Sequence, residues 1–187
     1  MKKNKGFTLL EVTVVIMIIS LLSTIFIASY REGEKQFALK RSTHQLAQSL
    51  RKAQGMALSS QELMGLYQGG YGIYFSITPG DKYTLFIDCN NDNKFDDFSS
   101  DCQDCRSGPD SCIPYFSEKI EEFTLEKGIT ISDLVPSSAE DDLCITFIPP
   151  DPTVVFPGAG LASITLNFEG GSGKTVFVNK VGLIEIE

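Results

Sequence analysis

Three groups of residues have side-chain types and spacings that could do chemistry. The first is Gly6-Phe7, followed at Glu11 by the one ionisable side chain in an apolar run that ends near Ala28. A carboxylate inside such a run costs on the order of 2.5–3.5 kcal/mol on membrane-insertion scales, so it calls for a partner or a use. Cleavage between Gly6 and Phe7 would create an α-amino group one helical turn from Glu11, on the same helix face, able to pair with its own Glu11 or a neighbour's. The second group is the acidic stretch Asp88 to Asp97. Asp88, Asn90, Asp92 and Asp96 stand at positions 1, 3, 5 and 9 of a loop, the Lys94 carbonyl is available at position 7, and Asp97 adds a carboxylate. Alternate placement of this kind lets an EF-hand loop aim oxygens at one Ca²⁺. Position 6 is Asn93 instead of Gly, which the left-handed tolerance of Asn permits, and position 12 is Ser99, so the bidentate Glu is missing. The spacing admits a Ca²⁺ site and, equally, a solvated acidic hairpin tip.

The third group is the cysteines Cys89, Cys102, Cys105, Cys112 and Cys144. In an exported domain an even subset is expected to be oxidised, drawn from Cys89, Cys102, Cys105 and Cys112 with the pairing open, while Cys144 packs in a strand. A crosslink from Cys89 would restrain the acidic loop directly. Zinc is the competing reading of the same thiols, but the spacing does not give the paired Cys-x-x-Cys knuckles of common zinc sites. Nothing here resembles an enzyme. There is one histidine, His44, and no Gly-x-Ser-x-Gly, His-Glu-x-x-His or Walker pattern, so neither a catalytic residue nor a required cofactor is expected.

These residues need elements to hold them. From Phe7 to Ala28 the apolar run is 22 residues. As a helix it is about 33 Å long, enough for a bilayer core of roughly 30 Å. The segment before it, Met1-Lys-Lys-Asn-Lys5, is basic, which places the N-terminus in the cytoplasm and the rest across the cytoplasmic membrane in a single pass. The apolar stretch is longer than that of a secretory signal, and no Ala-x-Ala-like site follows it, so the helix is expected to be retained.

Gly6-Phe7-Thr8-Leu9-Leu10-Glu11 resembles the processing site of type IV pilins and type II secretion pseudopilins, in which a short basic leader ends in Gly, Phe follows, and Glu is fifth in the mature chain. The resemblance implies cleavage after Gly6 and N-methylation of Phe7 by a prepilin peptidase. It also implies an inner-membrane assembly platform and a filament outside the cytoplasm, where Glu11 of one pilin subunit neutralises the Phe7 amine of another.

Beyond the membrane run the helical pattern continues to about Ser60 without proline. Phe37, Leu39, Leu46, Leu50, Ala53, Ala57 and Leu58 recur at three- and four-residue steps between Lys40, Arg41, Gln48, Arg51 and Lys52. Joined to the first half this is a spine of about 75–80 Å, with Gly33 as its weak point. After Ser60 the period becomes two. Gly72–Ile77 and Lys82–Ile87 read as a hairpin across Thr78-Pro-Gly-Asp81. Further strands are expected at 122–125, 129–131, 143–148, 153–156, 163–168, 175–178 and 183–186. The fold class is therefore α+β, a long N-terminal helix on an antiparallel β-sheet, divided into a leader 1–6, a transmembrane and filament-core helix 7–28, an amphipathic half 29–60 and a β-rich domain 61–187 with its Cys-rich acidic loop at 88–112.

The order of the last strands, and the helix end Leu46 to Ala57, resemble the GspH/FimT-like minor pilins, implying a minor pilin or pseudopilin of a type IV pilus or type II secretion system. Two other roles fit the same pattern: a DNA-binding minor pilin of a competence pilus, and the major pilin of an adhesive or motility filament. The formal charge is −8, and removal of Met1 to Gly6 leaves 13 basic against 24 acidic residues, or −11. That balance disfavours nucleic acid as a partner.

Overall fold

The computed structural model describes residues 6–59, 70–89, 91–97, 117–138, 141–149, 153–158, 160–168, 171 and 173–187. The chain divides into two compact units, Met1–Phe37 and Ala38–Glu187. One helix, α1 (Leu9–Leu58), contributes residues to both and continues in helical conformation through Gly33.

In the first unit none of the described helix residues is buried. Val12, Ile16, Ile19, Leu22 and Phe26 are all exposed, as are the apolar residues between them. Three hydroxyls in this stretch bond within the helix: Thr13 Oγ1 donates to the Leu10 carbonyl at 2.8 Å, Ser20 Oγ to Ile16 at 2.8 Å and Thr24 Oγ1 to Ser20 at 2.9 Å. With its backbone and these three hydroxyls paired internally, the segment presents few polar demands to an apolar solvent. Among the described residues α1 is the one helix long and apolar enough to cross a membrane, with a mean hydropathy of 2.5 over its most apolar window.

In the second unit the helix is amphipathic. Leu39, Leu46, Ala47, Leu50, Ala53 and Ala57 are buried on one face, and Ser42, Thr43 and Ser49 are buried beside them. Steps of three and four residues put these side chains in one stripe, while Lys40, Arg51 and Lys52 remain exposed. The stripe closes a single core with two antiparallel sheets. The larger sheet has the order β3-β2-β1-β5-β6, built from β1 (Gly70–Ser76), β2 (Lys82–Asp88), β3 (Lys119–Thr124), β5 (Asp142–Ile148) and β6 (Thr153–Val155). The smaller has the order β4-β7-β8-β9, from β4 (Ile129–Val135), β7 (Leu161–Phe168), β8 (Lys174–Asn179) and β9 (Ile184–Ile186).

Each strand expected from the period-two pattern is present, within a few residues at its ends. Their division into two sheets was not apparent from that pattern. The hairpin of β1 and β2 forms at the expected turn, where Gly80 has φ 75° and a Cβ would lie 2.6 Å from the Ile77 carbonyl, so glycine is required there. The Gly80 carbonyl then accepts Ile131 N–H at 2.7 Å, and the Asp81 carbonyl accepts Leu125 N–H at 2.8 Å, which ties this turn to the passage from one sheet to the other.

Polar contacts pin the helix to both sheets. Ser49 Oγ and the Tyr83 hydroxyl are 3.0 Å apart in the core, and Gln54 Nε2 donates to the Gly182 carbonyl at 3.0 Å. Arg41 meets the Glu126 carboxylate with two bonds of 2.7 Å, and Lys52 pairs with Glu121 at 2.5 Å. The two ion pairs are partly exposed and each adds about 1 kcal/mol at most. The apolar stripe carries more. Leu50→Ala should destabilise the second unit by about 2–5 kcal/mol, read as a lower denaturant midpoint with unchanged slope.

Candidate functional site

At the N-terminus, Gly6 to Thr8 precede the helix, and Phe7 is 82% exposed. Thr8 caps α1: its Oγ1 accepts Glu11 N–H at 3.3 Å, and its carbonyl takes the same N–H at 3.1 Å and Val12 N–H at 3.3 Å. Thr8-Leu9-Leu10-Glu11 has the Thr-x-x-Glu spacing of a capping box. Sequence reasoning overlooked this cap, although the spacing was legible. It also alters the geometry expected for Phe7. The helix begins at Leu9, so Phe7 lies outside it and does not stack over Glu11 as an i, i+4 pair on one helical face. Glu11 is instead the third helical residue, in the first turn, where the helix dipole favours a negative charge.

The acidic loop follows β2. On this strand Tyr83, Leu85 and Ile87 face the main core, and alternation sends Thr84, Phe86 and Asp88 to the other face. There the loop folds back over the sheet. Phe95 packs on Tyr74 and Phe86 with ring centroids 5.1 Å and 5.6 Å away, and the Phe86 ring in turn lies over Gly72, where any Cβ would meet it at 2.5 Å. Covered in this way, Asp88 is fully buried, and so is Glu118, which precedes β3.

The two buried carboxylates hold the loop's backbone. Glu118 Oε1 accepts Cys89 N–H at 3.1 Å and Oε2 accepts Asp96 N–H at 2.9 Å, bracketing the turn at both ends. Asp88 Oδ2 accepts Asn93 N–H at 3.0 Å. Between them Asn91 and Asn93 adopt φ 61°, a left-handed conformation asparagine tolerates. Burial pushes the Glu118 carboxyl up to about 7, opposed by its two backbone donors and reinforced by the charges of Asp88 and Asp96. Burial also raises Asp88, against the backbone donors of the turn.

The residues expected to ligate Ca²⁺ are thus distributed as follows. Asp88 forms the floor. Asp92 Oδ1 accepts Lys94 N–H at 2.8 Å and so braces the turn, and Asp97 Oδ1 accepts the Ser117 hydroxyl at 3.4 Å. Asp96 engages Glu118 through its backbone, Lys94 is exposed, and Asn90 lies outside the described residues. Among the described residues there is no group of three or more His, Cys, Asp or Glu side chains placed to hold a metal. Glu118 was missed from the sequence. It is 30 positions from Asp88, and no local spacing marks it.

Of the cysteines, Cys144 lies in β5 as a free, half-buried thiol that burial pushes up to about 12, so it is inert as a nucleophile near neutrality. Cys89 is disulfide-bonded, while Cys102, Cys105 and Cys112, on which the crosslink and zinc expectations fall, lie outside the described residues.

A raised carboxyl gives a definite sign. Between pH 4.5 and about 7 the folded protein holds a proton on Glu118 that the unfolded chain has released, so this group's contribution to stability falls as pH rises through that window. In chelator-containing buffer, wild type minus Glu118→Gln stability should therefore decline from pH 4.5 to 7, measured by denaturant unfolding.

Residues 1–27 match the family model described as the prokaryotic N-terminal methylation motif. No curated protein matches the sequence. Among solved structures, the minor pseudopilin EpsH from the Type 2 Secretion System of Vibrio cholerae is similar, with a TM-score of 0.46 and 12% identity, over 80% of this chain and 95% of that one. Through its first 27 residues the chain carries a prokaryotic N-terminal methylation motif.

Proposed function

We propose that the protein is a structural subunit, a minor pilin or pseudopilin, of a type IV pilus or type II secretion-like filament. Prepilin peptidase cuts it between Gly6 and Phe7 and methylates Phe7. The precursor lies in the cytoplasmic membrane with its N-terminus inside, and an assembly platform moves it into a filament outside the cytoplasm, where apolar helices of neighbouring subunits pack together.

The observation that carries this reading is the capped, wholly exposed apolar half of α1, preceded by an exposed Gly6-Phe7. An apolar surface of that extent is tolerated only against lipid or other apolar helices. Glycine at position 6 also has no use within the fold: a Cβ there would meet nothing within 4 Å. In this reading the missing side chain serves the peptidase, which must approach the backbone closely. Because Phe7 stands outside the helix, the favoured partner for the Glu11 carboxylate is the amine of a neighbouring subunit, the arrangement in which pairing also sets the register of packing.

Two measurements test the proposal. Intact mass and N-terminal sequencing of membrane-derived protein, with and without a co-expressed prepilin peptidase, should give a chain that begins at Phe7 and is heavier by about 14 Da for one methyl group. A chain that keeps Met1 beside an active peptidase refutes the reading. Glu11→Ala should insert and be cleaved normally yet fail to enter filaments, scored by shearing and immunoblotting. Normal filaments from that variant would remove the charge-pairing step.

A further inference from the structure

Two exposed faces of the second unit carry opposite charge. On α1 the outward stripe Lys40, His44, Gln48, Arg51, Gly55 and Leu58 recurs at three- and four-residue steps, with Arg41 and Lys52 beside it. From residue 38 to 58 the chain has four basic side chains and no acidic one, whereas residues 59–187 have 7 basic against 21 acidic. Glu126 and Glu121 engage Arg41 and Lys52, but Lys40 and Arg51 have no carboxylate partner among the described residues. The second face is the outer side of the smaller sheet. Register puts Asp133 beside Thr165, Val135 beside Ser163, Phe177 between Ser163 and Glu185, and Glu187 opposite Thr175. The strands thus give this face three carboxylates and no lysine or arginine. Lys180, in the turn after β8, is drawn over the Phe156 ring instead. Exposed apolar side chains gather here too: besides Leu58, the large ones among the described residues of the second unit are Val135, Leu161, Val181 and Leu183. Asn179 Oδ1 accepts the N–H groups of Val181 and Leu183 at 3.1 Å and 2.8 Å, so the turn presents those two side chains in fixed positions.

We propose that these faces are the two halves of one contact between copies of the chain: the basic stripe of α1 from one copy lies on the acid-rimmed apolar face of β4, β7, β8 and β9 of the next. Helix and smaller sheet both turn their buried sides to the common core, so the two faces look away from each other, and a copy that uses one leaves the other free. Such a contact is heterologous and continues from copy to copy. Lys40 and Arg51 bring the positive charge that Asp133, Glu185 and Glu187 lack, and Leu58 adds apolar area. One helix on four strands is smaller than the about 800 Å² per partner of a freestanding complex, so the contact acts among copies already held side by side. The proposal rests on the filament reading only for that neighbourhood, and it needs no cleavage at Gly6. Duplex nucleic acid fits the stripe less well, because two of its four cations are already paired and the whole chain is formally −8.

The test uses the full-length, unprocessed chain with a benzoylphenylalanine photocrosslinker at position 48, reconstituted at high density in vesicles of zwitterionic lipid. Irradiation should give a ladder of dimers and larger products whose crosslinked peptides come from β7 and β8. Asp133→Lys with Glu185→Lys should cut the yield about tenfold, and so should Lys40→Glu with Arg51→Glu. Joining all four changes in one chain should restore the yield, which also shows that the reversed variants fold. Added salt should weaken the wild-type product. Crosslinks confined to the partner copy's own helix stripe overturn the proposal, as does a yield indifferent to either reversal. The absence of any product between copies overturns it too, whether or not the stripe retains duplex DNA. Because the chain in these vesicles is uncleaved, each failure can occur while peptidase processing and filament entry proceed as expected, and the converse also holds.

Discussion

The second unit depends on burying one stripe of α1, Leu39 through Leu46 and Leu50 to Ala57, against strands of both sheets. Neither sheet has a core without that stripe, since Tyr83, Leu85 and Ile145 from one sheet and Ile164, Val176 and Val178 from the other meet helix side chains in a single cluster. The small residues Ala47, Ala53 and Ala57 alternate with leucines along the stripe, an arrangement that brings backbones close while large side chains fill the gaps between them. Polar groups then fix orientation. Ser49 with Tyr83, and Gln54 with the Gly182 carbonyl, give the helix one rotational setting, because any other would leave buried donors unpaired.

The same helix carries an opposite demand in its first half. From Val12 to Ile27 the side chains are exposed and mostly apolar, and the hydroxyls of Thr13, Ser20 and Thr24 are paired to the helix's own backbone. The segment is thus complete as a helix and incomplete as a surface. Charge is confined to its first turn, where Glu11 stands beside the Thr8 cap. Thr8 supplies an acceptor to an N-terminal N–H that would otherwise be unsatisfied, which stabilises the end of the helix by about 1 kcal/mol.

At the acidic loop two effects oppose one another. The Phe95 ring seals the outer face of the β1–β2 pair over Tyr74 and Phe86, and in sealing it the loop carries Asp88 and Glu118 out of water. Their negative charges are useful as acceptors for the N–H groups of Cys89, Asn93 and Asp96, since a tight turn has no ladder to satisfy them. The cost is two desolvated carboxylates, and burial raises both. Loop geometry is therefore coupled to proton concentration.

Much was legible in the sequence because it is local. The length and hydropathy of the run to Ala28, the position of Glu11, the stripe at three- and four-residue steps, and the period-two strands all arise from interactions within a few residues, and they determined the element types and the character of the N-terminus. Tertiary structure alone decided the rest. The pairing of β1 with β5, the separation into two sheets, and the placement of Glu118 under a loop 22 to 29 residues away come from contacts between distant segments, for which no spacing rule exists. The acidic loop shows the limit most clearly. Regular spacing pointed to a ring of Asp88, Asn90, Asp92, Asp96 and Asp97, whereas packing of Phe95 determines which oxygens are buried, and burial determines which of them need a partner.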